Sequence, residues 1–207
     1  MTVKDELLKA YESKKNKIEN KLNVFKQVSK DAYFYELCFC FCTPQSKARA
    51  AMLVQEKLEQ LDFKHTDFDP IEILSDKQHY IRFHRQKSDR LMLMKTQFDK
   101  IETIIFSNLD KYSKRNWLAE NVKGIGYKEA SHFMRNIAYT ELAILDRHIL
   151  KYLVKYNVFE VIPDISSPKK YLSVEQSFLN FANNIGIPID HLDLLFWSEG
   201  AGDEILK

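Results

Sequence analysis

The sequence predicts an all-α protein. Turn formers are scarce, with 5 Gly and 5 Pro in 207 residues, whereas β meanders need frequent turn residues. Apolar residues recur at helical spacing along most of the chain. No segment reads as a strand, an internal repeat or a low-complexity tract. The length serves one large domain or two small ones, with a core that needs no covalent staples.

Residues 3–28 are rich in Lys and Glu and set Leu7, Leu8, Tyr11, Ile18, Leu22 and Phe25 at roughly helical spacing. Residues 30–42 are densely apolar (Tyr33, Phe34, Leu37, Phe39, Phe41) and read as a buried helix with Asp31 as its first-turn acid. Thr43-Pro44-Gln45-Ser46 breaks it. Pro44 stands where a first-turn proline would open the next helix, which holds Ala48, Ala51, Met52, Val54, Leu58 and Leu61. Asp69-Pro70 opens a short helix to about Ser75. The stretch HYIRFHRQKSDRL, residues 79–91, is basic and aromatic, and Ser88 is expected to cap a long helix to about Phe106. Further helices are expected at about 111–121, 127–138, 145–156, 173–184 and 189–197, with 163–168 as the clearest loop.

Apolar residues make up 45% and charged residues 29%, an ordinary soluble globular balance. No run approaches the ~18–20 apolar residues that span a membrane, and the charged start has no secretory h-region. A net charge of +2 does not by itself announce nucleic-acid binding. The three cysteines, Cys38, Cys40 and Cys42, are an odd, crowded set and read as reduced thiols of an intracellular protein. On a helix, steps of two turn successive thiols about 200° apart, so they behave as small hydrophobes rather than converging on zinc. The six histidines show no metal spacing.

Residues 121–150, NVKGIGYKEASHFMRNIAYTELAILDRHIL, hold two of the five glycines. Lys123-Gly124-Ile125-Gly126 joins two helices by a hairpin whose backbone angles favour Gly. Open N–H groups at the start of the second helix, at the positive end of its dipole, suit a phosphate. Ile125 would tuck inward and lock the pair. A plain helix–helix turn with Gly as a cap is the competing reading.

This stretch resembles the helix-hairpin-helix (HhH-GPD) motif of the DNA glycosylase superfamily that includes endonuclease III. The hairpin glycines, Lys128 two residues on, and Asp146 a further 18 positions along carry the likeness. Asn136 to Thr140 stands where the family has a Gly/Pro-containing loop. The Lys–Asp pair marks the bifunctional members, which remove a base and then nick the strand. No cysteine follows Cys42, so the iron–sulfur cluster of some members is not expected. Leu145-Asp146-Arg147-His148, the small size and the terminal Lys207 look most like the type 2, mainly archaeal, 8-oxoguanine DNA glycosylase/AP lyases.

The resemblance implies two helical domains, about 29–137 as a barrel and 1–28 with 138–207 as the other, with an active-site cleft between them. It implies a Schiff base on Lys128 and stabilisation of positive charge on the sugar by Asp146. A base inside a duplex is unreachable, so such an enzyme flips it out. Gln45 is then the candidate plug for the hole. Phe83 or His84 would meet bases, and Arg82, Arg85 or Lys87 phosphates. Lys123, Gly124 and Gly126 would grip the backbone, with His148 near the site. Trp197 would offer a flat face to the flipped base, and Lys207, brought back by a turn at Gly200 and Gly202, would read it. A monovalent cation on the carbonyls of Glu120, Val122 and Ile125 is the one cofactor implied. Expected partners are duplex DNA with 8-oxoguanine or abasic sites, with no membrane, for a cytoplasmic, nucleoid-associated prokaryotic monomer. An endonuclease III-like enzyme for oxidised pyrimidines, and a helix-hairpin-helix protein that only grips DNA, are the alternatives.

Overall fold

The computed structural model describes residues 3–201. They form helices α1 (Val3–Lys26), α2 (Tyr33–Cys42), α3 (Ala48–Gln60), α4 (Ile71–Ser75), α5 (His84–Phe106), α6 (Lys111–Asn121), α7 (Tyr127–Asn136), α8 (Arg147–Lys155), α9 (Pro168–Ile185) and α10 (Ile189–Ala201), with a 3-10 turn over Lys30–Ala32. No strand occurs among the described residues, and none of their helices is long and apolar enough to cross a membrane. The chain divides into two compact units, one from 1–27 and 138–207, the other from 28–137.

In the 28–137 unit α2 is apolar on nearly every side, and a helix of that kind belongs in a core. Every residue from Phe34 to Cys42 is buried, and α2 packs on α3, α5 and α7. Phe34 meets Phe98 edge-on at 5.0 Å and Phe63 at 5.9 Å. The three thiols are buried and none is in a disulfide. One carboxylate, Glu36, is also buried here. It accepts from Gln55 Nε2 and Asn136 Nδ2, each at 3.0 Å, which ties α2 to α3 and α7. Buried charge is tolerable when its lone pairs are used.

In the other unit α1 buries Leu7, Tyr11, Ile18 and Phe25 along one face and packs against α10. Phe196 of α10 stacks on Tyr152 at 4.9 Å and on Tyr156 at 5.3 Å, both from α8 and its C-terminal edge. The Tyr11 hydroxyl meets His191 Nδ1 at 2.9 Å.

Several helix limits differ from the sequence expectation. Pro44 does not open α3, because Gln45 takes a left-handed φ of 56° and the helix starts only at Ala48. Ser88 is no cap: α5 begins at His84, and the buried Ser88 hydroxyl donates to the Asp69 carboxylate. α9 starts earlier than expected, at Pro168, where Ser167 accepts the Lys170 N–H and proline fills the first turn. α10 runs through Gly200 to Ala201, so Gly200 does not turn the chain back. Gly202 and Lys207 lie outside the described residues.

Candidate active site

The hairpin is built from α6 and α7. Asp110 caps α6, accepting the N–H groups of Tyr112 at 2.9 Å and Ser113 at 3.1 Å. Arg115 is fully buried between the helices. Its Nη1 donates to Ser131 at 3.3 Å, and its guanidinium lies 5.2 Å from the Tyr127 ring centre. In the turn, Ile125 is buried and donates its N–H to the Val122 carbonyl at 3.0 Å. The two glycines differ. Gly124 has φ +100°, and a Cβ there would fall 2.5 Å from Arg90 Cδ and 3.1 Å from Phe41. Gly126 is extended (φ −102°, ψ −175°), a backbone any residue adopts, and a Cβ would meet only Glu129 Oε2 at 3.5 Å. The expectation that both glycines serve the backbone angle therefore holds for Gly124 alone. At Gly126 the lack of a side-chain cap leaves the first amides of α7 open. Lys123 is exposed.

Lys128 is the second residue of α7. Its Nζ sits 2.8 Å from Glu129 Oε1, and its side chain is 25% exposed, accessible but held. Asp146 is the N-cap of α8. One oxygen, Oδ1, accepts both the His148 N–H at 2.8 Å and the Ile149 N–H at 2.9 Å. Oδ2 has no hydrogen bond among the described residues, so the cap fixes the carboxylate and leaves one oxygen for chemistry. His148, half-buried, accepts from Arg147 Nε at 3.3 Å.

The segment that delivers Asp146 contains no glycine. It uses left-handed Ala138 (φ 71°) and Glu141 (φ 63°) in place of glycines. Its peptide groups are satisfied by side chains. Glu175 accepts the Ala143 N–H at 2.9 Å, Tyr171 donates to the Ala143 carbonyl at 2.6 Å and accepts from the Leu145 N–H at 3.3 Å, and Asp190 accepts the Glu141 N–H at 3.0 Å. A buried irregular segment needs such partners.

Gln45 and Phe83 are exposed at the tips of two turns of the 28–137 unit, both with left-handed backbone, φ 56° and 59°. Arg82 and Arg85 are exposed, and the Arg82 guanidinium lies 5.3 Å from the Phe83 ring centre. His84, half-buried, faces Tyr80 edge-on at 5.4 Å. Lys87 is not the surface phosphate contact expected of it. It is 3% exposed, and its Nζ donates to the carbonyls of Cys42 at 2.8 Å and Pro44 at 2.7 Å and to Ser46 Oγ at 3.3 Å. Burial brings its ammonium down to about 8 from the usual 10.5, the Lys128 and Arg90 charges push the same way, and Cys42 and Glu129 oppose. The sequence carried a signal for this: Lys87, Leu91, Met94, Phe98, Ile101 and Ile105 form one helical stripe, and all are buried.

Trp197 is half-buried on α10. The carbonyl of Val122 takes the Ile125 N–H, which leaves it one lone pair, and hard carbonyl oxygens suit a monovalent cation at Glu120, Val122 and Ile125. No group of three or more His, Cys, Asp or Glu side chains among the described residues converges on a metal position.

The sequence model of one protein family, described as 8-oxoguanine DNA glycosylase, matches residues 14–187. A protein of Fusobacterium nucleatum called 8-oxoguanine DNA glycosylase/AP lyase is 36% identical over 96% of this chain and 95% of its own. One of the same name from Methanocaldococcus jannaschii is 35% identical over 88% and 86%. The crystal structure of the Methanocaldococcus jannaschii 8-oxoguanine glycosylase/lyase, in complex with a 15-mer DNA containing 8-oxoguanine, superposes with a TM-score of 0.85 at 33% identity, covering 98% of this chain and 100% of that one. The 8-oxoguanine DNA glycosylase of Thermotoga maritima gives 0.85 at 28% identity, over 99% and 100%.

Proposed function

The chain belongs to the 8-oxoguanine DNA glycosylase family, and from that premise we propose that it excises 8-oxoguanine from duplex DNA through a Schiff base on Lys128 and then nicks the strand by β-elimination. The observation that carries the reading is the pair of polar groups set up for it: an accessible amine at the start of α7, directly after the hairpin, and a capped carboxylate with one oxygen uncommitted. A protein that only grips DNA through its hairpin needs neither.

Both groups act on the sugar of one flipped nucleotide. The Lys128 amine, released from Glu129, attacks C1′ as the bond from C1′ to the base breaks, and the base leaves with that electron pair, which takes up the proton the attacking nitrogen sheds by way of Asp146. Asp146 Oδ2 faces the positive charge that develops on the sugar and accepts the proton that the attacking nitrogen gives up. Ring opening leaves an imine between Lys128 and C1′. Loss of a C2′ proton then expels the 3′ phosphate, which cuts the strand, and water frees the lysine.

The open amides of α7 and the exposed Lys123 bind phosphate without reading sequence. A monovalent cation on the carbonyls of Glu120, Val122 and Ile125 would add positive charge at the same phosphate. Gln45 fills the space left by the extruded base, and Phe83 and Arg82 meet the strand beside it. His84 and Trp197 offer ring faces to the base, Arg85 adds charge, and Lys207 reads the modified purine. 8-Oxoguanine carries a proton on N7 where guanine has a lone pair, so an acceptor placed there rejects guanine.

A labelled duplex panel containing 8-oxoguanine, thymine glycol, uracil or an abasic site, with borohydride trapping, tests this. Trapping and nicking with 8-oxoguanine and the abasic site are expected. Preference for thymine glycol would favour the oxidised-pyrimidine alternative, and binding without trapping on any duplex would leave only the DNA-gripping one.

A further inference from the structure

The two exposed tips, Gln45 and Phe83, belong to separate turns, yet the same two residues secure both. The Lys87 side chain donates to Cys42 O, Pro44 O and Ser46 Oγ, which closes the turn of Gln45. Its backbone N–H donates to the Phe83 carbonyl at 3.0 Å, which closes the first turn of α5 behind Phe83. Ser46 completes the join, because its Oγ accepts the Arg82 N–H at 3.0 Å as well as Lys87 Nζ. Gln45 and Phe83 are both non-glycine residues in the left-handed region. Exposed residues keep that backbone only where their surroundings over-determine it.

A buried ammonium whose hydrogen-bond acceptors are all neutral is a costly way to fill space, and an apolar side chain would continue the stripe of Leu91 and Met94 at no desolvation cost. What the ammonium adds is geometry: three protons directed at three oxygens of one turn. We propose that Lys87 is a positioning residue which, with Ser46, locks the Gln45 turn and the Phe83 turn into one rigid unit, so that both side chains engage the duplex together as the damaged base is extruded. This rests on the reading that the two turns face DNA.

The test is a double-substitution cycle of Gln45→Ala and Phe83→Ala, made in the wild-type, Lys87→Met and Ser46→Ala backgrounds. The readout is single-turnover excision of 8-oxoguanine from duplex DNA. Borohydride trapping on a single-stranded abasic oligonucleotide, which needs no base extrusion, reports the nucleophile and the fold. In the wild type the two substitutions are expected to be non-additive, as for one unit. Lys87→Met is expected to slow duplex excision by ~10- to 100-fold, the scale of a small misplacement, to abolish the coupling, and to leave single-stranded trapping within about twofold, with Ser46→Ala giving a smaller loss in the same direction. Wild-type excision or intact coupling in both backgrounds overturns the proposal. Loss of single-stranded trapping in parallel with excision in both backgrounds also overturns it, since that is a plain folding defect. If Gln45→Ala and Phe83→Ala leave duplex excision unchanged in the wild-type background, the reading of these turns as DNA-facing is what fails.

Discussion

Gly200 of α10 lies against the ring of His148 on α8 so closely that a Cβ would fall inside contact distance of Nδ1, 3.0 Å from Cγ and 3.3 Å from the His148 Cβ. Contact with Cγ and Cβ means the ring cannot simply swing aside, since these atoms sit near the backbone of α8, two residues after Asp146. Gly200→Ala gains about 1 kcal/mol of helix propensity, but overpacking costs about 1–3 kcal/mol. The net expectation is a lower melting temperature, by about 2–4 °C per kcal/mol lost in a chain of this size. Slower 8-oxoguanine excision should accompany it, as α8 carries the carboxylate. Calorimetry and single-turnover assays read both, and an unchanged melting temperature would mean that α10 ends clear of His148.

The hairpin glycines should separate cleanly under substitution. Gly124→Ala forces an L side chain to φ +100° and drives its Cβ into Arg90 and Phe41. Left-handed strain of about 1–2 kcal/mol adds to overpacking of about 1–3 kcal/mol, and affinity for undamaged duplex should fall with it. Gly126→Ala meets no clash and keeps a permitted backbone. It should cost less than about 1 kcal/mol, the difference between Gly and Ala at an N-cap. Urea unfolding and fluorescence anisotropy of the paired variants distinguish the positions, and equal losses would refute the assignment.

How much of this was legible beforehand depends on whether a residue acts through local pattern or through partners distant in sequence. The dense apolar run of α2 and the hairpin rest on local sequence, and helix periodicity with turn chemistry exposes them; the Asp110 and Asp146 caps are just as local, but the sequence reading does not name them as caps. The start of α9 is a local Ser167-Pro168 signal that the sequence reading passes over, but the other limits that differ are set by tertiary contacts. Ser88 looks like a cap until Asp69, 19 positions away, takes its hydroxyl. Pro44 looks like a helix opener until the left-handed Gln45 and the Lys87 ammonium pin the turn. Gly200 looked like a turn, because nothing near it in sequence shows that His148 needs the space. The buried carboxylates Glu175 and Asp190, which satisfy the amides leading to Asp146, carry no local mark either.

Lys87 gives a pH dependence whose sign runs against the usual expectation for a lysine. Burial, seconded by Lys128 and Arg90 and opposed by Cys42 and Glu129, lowers it from 10.5 to about 8. Between those values the unfolded chain binds the extra proton, so the contribution of Lys87 to stability rises with pH, is fully present above 10.5, and is lost as pH falls through about 8. Tyr156, pushed up to about 12 chiefly by burial, is common to both proteins and cancels in a comparison. Urea unfolding of wild type and Lys87→Met at neutral pH and again midway through that window should show the wild type gaining on the variant at the higher pH. A constant difference would mean that Lys87 keeps its ordinary affinity for the proton.

The final pair of substitutions separates the roles assigned to Lys128 and Asp146. Lys128→Gln keeps a side chain of similar reach on α7 but removes the nucleophile. Trapping and nicking should vanish, while duplex affinity changes little. Asp146→Asn is the sharper case, because Asn caps a helix about as well as Asp. Its side-chain oxygen can still accept from the His148 and Ile149 N–H groups, so α8 and the melting temperature should survive. What the variant lacks is the negative charge at Oδ2. Base excision, which develops positive charge on the sugar, should fall by about 100-fold or more, the scale of losing one preorganised electrostatic partner. Nicking of a preformed abasic site has no base–sugar bond left to break, so it should fall less. Equal losses on the two substrates would show that Asp146 serves the Lys128 amine rather than the sugar cation. A collapse of the melting temperature would show that it serves the cap alone.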